Sequence, residues 1–226
     1  MTSRNKDVST RERLLDEAEA LFAEKGYDAV SVREIIAAAN CNLGAINYYF
    51  GSKKNLYLEV FRSRWIARER LVQEHFWRIL ADQKPLSLRA VVQSLVQAFL
   101  EGPFSDEENR RKHQLMAREM DRPSEAVDLV QEQAMEPFFA KLAKIMEPLL
   151  PQKVTAEQLM LDILSIFGLV LHFQIAREGI SRITGCPYDA AFKAQLVEHI
   201  TRFALTGLGQ GSLPKAGAAR AGAEPH

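Results

Sequence analysis

The sequence predicts an all-α fold, and three observations lead to that prediction. Apolar residues recur at helical spacing along most of the chain, whereas alternating strand patterns bounded by Asn-Gly or Asp-Gly turns are absent. The Ser/Thr-x-x-Glu/Gln pattern that begins helices occurs four times, at Ser9/Glu12, Ser31/Glu34, Ser105/Glu108 and Thr155/Gln158. We therefore expect helices joined by short turns.

The first three predicted helices form a compact N-terminal group. Apolar spacing predicts a first helix over about 10–25, which Gly26 ends in the left-handed conformation. A short second helix over about 32–39 is followed, a few residues later, by a third over about 43–50. Two short helices supported in this way by a longer one form a helix-turn-helix, whose second member enters a DNA groove.

Proline and glycine residues divide the remaining sequence. Ser52 is expected to cap a long fourth helix that reaches about residue 80, and we place the domain boundary near Gly51. Further helices are predicted over about 87–101, 106–120, 124–149, 155–178 and 188–206, the third of which Pro137 and Pro148 can kink or split. The predicted organisation is a flexible basic arm over 1–8, a helix-turn-helix domain over 9–51, a larger helical domain over 52–208 and a disordered tail over 209–226.

The composition narrows the class of protein. With 226 residues, 47% of them hydrophobic, the chain can bury a hydrophobic core. Because its net charge is +0, any nucleic-acid binding must come from a local basic patch rather than from the overall charge. Cys41 and Cys186 lie far apart without a second Cys or His at metal spacing, so neither a disulfide framework nor a zinc site is expected. The polar N-terminus and the lack of an apolar run of roughly 18 residues predict a cytoplasmic protein.

One stretch of the sequence avoids negative charge altogether. From Ile35 to Leu58 there is no Asp or Glu, although the whole chain has 29 acids and 29 Lys and Arg residues. Within it, Asn40 to Lys54 is rich in small, amide and phenolic side chains and ends in two lysines. Acids would repel phosphate, whereas small and amide side chains can approach base edges, so this segment is predicted to bind DNA.

Residues in and beside this segment are predicted to have separate roles at DNA. Ser31, Arg33 and the N-terminus of the second helix are expected to hold one phosphate, and Lys53 another. The hydroxyls of Tyr48 and Tyr49 are expected at the DNA backbone. Asn42, Ala45 and Asn47 are expected to face the bases, and the predicted DNA-binding set is completed by Leu43 and Gly44.

A second interpretation of the same residues needs no DNA. Tyr48, Tyr49 and Phe50 can form a core aromatic cluster, with Ser31 serving only as a cap and Lys53 only as a solvated charge. Tyr48 and Tyr49 are adjacent, however, and cannot both point inward on a helix. Their adjacency favours at least one exposed phenol.

The stretch from Leu14 to Phe61 resembles the DNA-binding domain of the TetR family of bacterial repressors. The residues at the family's characteristic spacing are Leu14, Ala18, Phe22, Gly26, Tyr27, Val32, Ile35, Ala37, Ala39, Gly44, Tyr48, Phe50, Ser52, Lys53 and Leu56. Ala45 stands where a Thr is usual and Asn47 where a Tyr is usual. Both departures lie on the predicted reading face, so they concern the operator sequence rather than the fold.

The C-terminal part is similar to the CecR-type domain of one subgroup of that family. The similarity covers roughly residues 85–205 and is carried by His113 to Glu119, followed by Pro123-Ser124. The resemblance implies a homodimer that places one recognition helix in each of two successive major grooves of a near-palindromic operator. It also implies a small-molecule pocket in the C-terminal domain, whose ligand respaces the two reading heads and releases the repressor.

The helix predicted over 155–178 has features of a dimer interface. It is apolar nearly all round, so it must be covered by its own domain on one side and by something else on the other. With the final helix it is expected to form a two-fold four-helix interface. The expected dimerisation residues are Leu161, Leu164, Phe167, Leu171, Phe192, Leu196, Ile200 and Phe203. The alternative is a central helix buried within one subunit.

Aromatic and polar residues beyond the helix-turn-helix are candidates for an effector pocket, because ligand sites combine apolar walls with a few polar groups. For each candidate taken singly, the sequence favours an ordinary core residue over a ligand contact. The candidates are Trp65, Phe76, His113, Met116, Glu119, Phe139, Phe167, His172 and Phe173. His113 and Glu119 are six residues apart and do not share a helix face, so we expect no metal site and no cofactor.

Other functions fit the sequence less well. An all-α enzyme would need a nucleophile with a base, paired acids or metal ligands, and no Gly-rich phosphate loop, His-Glu-x-x-His or Gly-x-Ser-x-Gly motif occurs. A ligand-binding module without a DNA site would not require the acid-free segment. A redox role for Cys41 competes with its being a small packed residue. The sequence therefore predicts a ligand-responsive, dimeric transcriptional repressor, with an activator that uses the same head as the alternative.

Overall fold

The computed structural model of the protein describes residues 3–210, with side chains from residue 10 onward. All regular secondary structure in this range is helical, which confirms the all-α prediction. The helices are α1 Ser3–Lys25, α2 Val32–Ala38, α3 Ala45–Phe50, α4 Lys53–Val60, α5 Ala67–Ala81, α6 Leu88–Leu100, α7 Asp106–Asp121, α8 Glu125–Val130, α9 Glu136–Met146, α10 Ala156–Ile175, α11 Arg177–Thr184 and α12 Ala190–Gly207.

The chain divides into two compact units. The first comprises Met1–Glu74 and Pro103–Phe138, and the second comprises His75–Gly102 and Phe139–His226. The units do not follow the boundary expected near Gly51, because α7 packs against α1 and joins the unit of the helix-turn-helix. The functional division into a DNA-binding domain over 9–51 and an effector domain over 52–208 stays a prediction.

The first unit is built around the apolar face of α1. This helix buries Leu14, Leu15, Ala18 and Phe22 completely. The short helix α2 packs against it, and α3 packs against α2 and α4. Ile35 and Ile46 are the fully buried contributions of α2 and α3. The core is completed from α4 and the turn after it by Leu56, Val60 and Phe61. Each helix therefore presents one apolar stripe to a shared core.

A π-helical turn, Phe61–Ile66, joins α4 to α5, so the long fourth helix predicted from Ser52 to about residue 80 is continuous but locally widened. A second π-helical turn, Gln131–Met135, precedes Pro137, where a kink was predicted. Proline has no N–H for the carbonyl four residues earlier. That carbonyl, on Gln133, instead accepts a hydrogen bond from Arg70 at 3.4 Å.

The second unit is centred on α6, which packs against α12 and α10. Most of α6 is buried, including Val91, Leu95 and Phe99. From α12, the buried side chains include Phe192, Leu196 and Ile200. A 3-10 turn that contains Pro148, Glu147–Leu149, ends α9, so the predicted break at this proline is confirmed.

Three of the four predicted helix starts are confirmed and one is wrong. Ser31 and Ser105 form complete capping boxes, and Thr155 accepts a hydrogen bond from the backbone N–H of Gln158. Ser9 begins no helix, because α1 starts at Ser3 and runs through it.

The expected arm over 1–8 is therefore helical from residue 3, since no Gly or Pro interrupts it. Of the tail predicted over 209–226, residues 211–226 lie outside the described range.

Candidate nucleic-acid interface

The N-terminus of α2 is fixed by a reciprocal cap. The Ser31 hydroxyl accepts from the backbone N–H of Glu34 at 3.2 Å, and the Ser31 N–H donates to the Glu34 carboxylate at 3.5 Å. Glu34 also pairs with Lys25 at 2.5 Å, and the hydrogen bond from this ammonium holds the pKa of the carboxyl below its usual value. Arg33 is exposed beside this cap. The helix end thus presents free N–H groups with an exposed guanidinium beside them.

The turn between α2 and α3 is tied to α1. Asn40 takes a left-handed φ of 49°, which asparagine tolerates better than most residues. The backbone N–H of Cys41 donates to Ile36 at 3.0 Å. From α1, Arg13 donates to the carbonyl of Ala39 at 3.3 Å and reaches the Cys41 sulfur at 3.7 Å. This arginine fixes the turn that aims α3, and the sequence analysis missed it.

Helix α3, the predicted recognition helix, begins at Ala45, two residues later than expected. Asn42 accepts the N–H of Ala45 at 2.9 Å, so 42–45 close a turn, and Gly44 stands at the N-cap. Glycine is a poor helix former, which is consistent with the later start. At the other end, Gly51 adopts a φ of 78° and its N–H donates to Asn47 and Ile46.

The outer face of α3 and its preceding turn is exposed. Asn42, Leu43, Gly44, Asn47 and Tyr48 are exposed, whereas Ala45 is half-buried. Within the described part of the chain, the carboxamides of Asn42 and Asn47 make no hydrogen bond, so both can pair with another molecule. The inward face is held by Ile46, which is fully buried.

The two adjacent tyrosines diverge as expected. Tyr48 is 76% exposed, while Tyr49 is half-buried, and their rings meet edge to face at 4.8 Å. Only Phe50 of the three consecutive aromatic residues is buried in the core. The interpretation of all three as a core cluster is therefore wrong for Tyr48.

Lys53 is seated against Tyr27 at the start of α4. Its ammonium lies 4.2 Å from the centre of the Tyr27 ring and donates a hydrogen bond to the Tyr27 carbonyl. Partial burial lowers the pKa of Lys53 from its ordinary value. An ammonium has three donors, so this seat leaves capacity for a phosphate oxygen. Ser52 caps α4 by accepting from Asn55 at 3.1 Å, and the helix begins with Lys53 and Lys54.

A cavity of about 850 Å³ lies in the first unit, between the end of α1, α4 and the end of α7. Glu119 lines it and is buried, and its carboxylate accepts from the Tyr57 hydroxyl at 2.6 Å. The second carboxylate oxygen accepts the N–H and hydroxyl of Ser124 at 2.9 and 2.7 Å. Burial, followed by the bond to Glu119, raises the pKa of Tyr57 far above that of a free phenol.

The candidate effector residues are divided between the two units. Those in the first are Trp65, His113, Met116 and Glu119, and those in the second are Phe76, Phe139, Phe167, His172 and Phe173. Trp65 is buried and donates its indole N–H to the carbonyl of Lys112 at 3.2 Å. Phe167 packs edge to face on Phe139 at 5.4 Å, whereas His172 is exposed. Only Glu119 of the nine lines the described cavity.

The candidate dimerisation residues differ sharply in exposure. Leu161, Leu164 and Phe203 are 52%, 44% and 61% exposed, whereas Phe167 and Leu171 are half-buried. Phe192, Leu196 and Ile200 are buried within the chain itself, so they belong to its core rather than to a free surface. Among the described helices, α10 is long and apolar enough to cross a membrane by length and composition, so the expectation that no apolar run reaches that length is wrong; 28% of its most apolar window is buried.

Two family models match the chain. The model described as the C-terminal domain of the HTH-type transcriptional dual regulator CecR covers residues 85–208, and the model of bacterial regulatory proteins of the tetR family covers residues 14–60. The first match alone spans more than half of the chain, and the second contains α2, α3 and α4. The regions predicted from individual residues, 14–61 and roughly 85–205, agree with both.

Whole proteins of this kind are also similar to the chain. The HTH-type transcriptional dual regulator CecR of Shigella flexneri is 29% identical over 92% of this chain and 96% of its own length. A probable acrEF/envCD operon repressor of Escherichia coli K12 is 37% identical over 30% of each chain. The crystal structure of a TetR-like transcriptional regulator from Rhodococcus sp. RHA1 matches 89% of this chain and 97% of its own, with a TM-score of 0.63 at 18% identity.

Proposed function

We propose a function on the premise that this chain belongs to the TetR family of transcriptional regulators and carries a CecR-type C-terminal domain. It acts as a repressor that binds a near-palindromic operator as a homodimer in the cytoplasm and leaves the operator when a small molecule binds. The observation that carries the proposal is the exposed, acid-free face formed by Asn42, Leu43, Gly44, Asn47 and Tyr48.

Several features of the head support separate roles for phosphate-binding and base-contacting residues. The capped N-terminus of α2, with Ser31 and exposed Arg33, and the N-terminus of α4, with Lys53, bracket α3 in the sequence and present N–H groups or positive charge. Such groups bind phosphate and fix register on the duplex. The exposed amides of Asn42 and Asn47 can then pair with base edges, and the Ala45 methyl can contact a thymine methyl.

The exposed apolar face of α10 supports the homodimer. Leu161 and Leu164 lie three residues apart, so they share one face of the helix, and Phe203 on α12 adds a large exposed aromatic ring. A face of this kind is covered in solution by another apolar surface. A second copy of the chain offers a self-complementary one, and two heads then meet two half-sites of a palindrome.

Release by a small molecule follows the family and is supported here by the cavity of about 850 Å³ within the unit that contains the reading head. Its volume falls in the range of sites for small organic ligands. An effector that binds one head geometry better than the other shifts the equilibrium toward that geometry. The Shigella flexneri relative is named a dual regulator, so activation of transcription is the second candidate function for this chain.

Two substitutions test the roles assigned to the head. Lys53→Ala should weaken binding to every duplex and reduce the salt slope by about one, because it removes a phosphate contact. Asn47→Ala should cost roughly 1 to 3 kcal/mol mainly at one base pair, because it removes a base contact. Fluorescence anisotropy over a salt series, on operator and single-base variants, separates the two effects. An equal loss on all sequences from both changes would contradict the assignment.

A further inference from the structure

We propose that Arg118 and Glu119, adjacent residues near the end of α7, are positioning residues for DNA binding. Neither is assigned a contact with DNA. Together they fix Tyr27, the residue against which the ammonium of Lys53 is seated. The inference rests on the proposed function of the head and adds to it a specific role for α7, a helix that follows the helix-turn-helix by more than fifty residues.

Arg118 fixes the backbone just before Tyr27. Its Nε donates to the carbonyl of Ala23 at 3.0 Å, and its Nη2 donates to the carbonyl of Glu24. These carbonyls belong to the last turn of α1, whose acceptors have no partner within the helix. The guanidinium therefore ends α1 in the way a cap does, across 95 and 94 positions of sequence.

Gly26 shows how closely the guanidinium approaches the turn. Its φ of 83° favours glycine, and a Cβ added there would lie 3.2 Å from Nη1 of Arg118. The N–H of Gly26 closes the end of α1 by donating to Phe22 at 2.9 Å. The turn that leads into Tyr27 is thus constrained by its own backbone and by α7.

Glu119 fixes the ring of Tyr27 from the other side. Its carboxylate holds the hydroxyl of Tyr57 at 2.6 Å, and the Tyr57 ring packs on the Tyr27 ring with centroids 4.9 Å apart. Two hydrogen bonds from Ser124 leave the carboxylate no freedom to turn away. Both the Tyr57 and Glu119 side chains are buried, so this arm of the contact is rigid.

Tyr27 in turn positions the ammonium group of Lys53. The Lys53 ammonium is bound by both the carbonyl and the ring face of Tyr27. A lysine stem has four rotatable bonds, and a seat that restricts them lowers the entropy lost when a phosphate is bound. Loosening Tyr27 should therefore remove much of the contribution of Lys53 without removing its charge.

A double-mutant cycle tests this inference. Arg118→Ala should weaken operator binding about fivefold or more, of the order of ordinary coupling between sites, and should reduce the salt slope by about 0.9, the value of one phosphate contact. Arg122→Ala is the matched control, because it removes the same charge four residues later from a side chain that is 82% exposed. It should leave both quantities almost unchanged.

The decisive comparison combines Arg118→Ala with substitutions in the head. With Lys53→Ala, the double variant should bind no more weakly than Lys53→Ala alone, because the positioned charge is already gone. With Asn47→Ala, the two losses should add, because base contacts do not depend on the seat. Additive losses with Lys53→Ala, or equal losses from Arg118→Ala and Arg122→Ala, would overturn the proposal.

Arg118→Lys is the control for the possibility that Arg118→Ala simply unfolds the protein. It keeps the charge and most of the stem but cannot donate to two carbonyls at once, so a positioning role predicts an intermediate loss with an unchanged helical circular dichroism spectrum. Full binding by both Arg118 variants overturns the proposal as well. If the unaltered protein binds no duplex selectively, the proposed function itself fails, and that result is seen before any variant is made.

Discussion

At the scale of single residues, the reading head depends on a few polar contacts that are buried or nearly so. Tyr57 and Glu119 form one of them, 62 positions apart in sequence. The sequence predicted that the Asn47 amide faces the bases, and the Asn47 side chain is exposed. The pairing of Lys53 with Tyr27 was missed, since no local pattern shows which side chain a lysine reaches.

The Tyr57 hydroxyl should contribute to stability. Tyr57→Phe leaves one oxygen of a buried carboxylate without its donor, a loss of about 1 to 3 kcal/mol in the free energy of unfolding. Urea titration measures it. Tyr48→Phe is the control, because Tyr48 is 76% exposed and makes no buried hydrogen bond; a similar loss from both changes would show that the Tyr57 contact contributes nothing specific.

The same residue predicts a pH dependence at the alkaline end. The pKa of Tyr57 is raised in the folded protein, mainly by burial, so the unfolded chain releases this proton first as the pH rises. Stability should therefore fall above about pH 10, the pKa of an unperturbed phenol. Tyr57→Phe should flatten this part of the profile; an unchanged alkaline slope would contradict the burial of a neutral phenol.

At the scale of elements, helix starts were predictable where a side chain caps its own helix. The signals at Ser31, Ser105 and Thr155 are local, and all three are caps. The prediction at Ser9 is wrong because the residues before it also continue a helix. The helix predicted over 155–178 ends instead at Ile175, and α11 follows after one residue, a break that no proline announced.

Ser31 has two proposed roles, the cap of α2 and a contact with phosphate, and substitutions can separate them. Ser31→Ala should cost about 1 kcal/mol in unfolding free energy, because the cap of α2 is lost. Ser31→Asp should keep the cap, since aspartate accepts the same N–H, but should strongly weaken DNA binding by placing a negative charge at the expected phosphate. Thermal unfolding measures the stability of each variant, and fluorescence anisotropy measures its affinity for DNA. Unimpaired binding by Ser31→Asp would remove this helix end from the interface.

At the scale of the whole molecule, the sequence predicted both an N-terminal head and a helical remainder, and family models match both regions. It did not predict that α7 and α8 join the compact unit of the head, because that packing depends on contacts between residues some 90 positions apart. The expected interface residues of α12 were assigned by hydrophobicity alone. Burial now separates the core residue Ile200 from the exposed Phe203.

The proposed dimer should depend on the exposed face of α10. Leu164→Glu introduces a charge at a position that is 44% exposed, and it should yield a monomer that binds the operator poorly, because one head alone contacts half of the site. Leu71→Glu, at a position 47% exposed, is the matched control and should leave the dimer intact. Analytical ultracentrifugation reads the outcome. A dimeric Leu164→Glu protein would place the interface elsewhere.

The central claim is that two copies of the acid-free head read one near-palindromic operator, and selection of bound duplexes from a random DNA pool tests it most directly. The purified protein at physiological salt should enrich a palindrome with two half-sites at a fixed spacing, centred about one helical turn or a multiple of it apart. Enrichment of a single half-site without a fixed partner would contradict the dimer geometry. No enrichment, from protein shown by mass spectrometry to carry no bound small molecule, would contradict DNA reading itself.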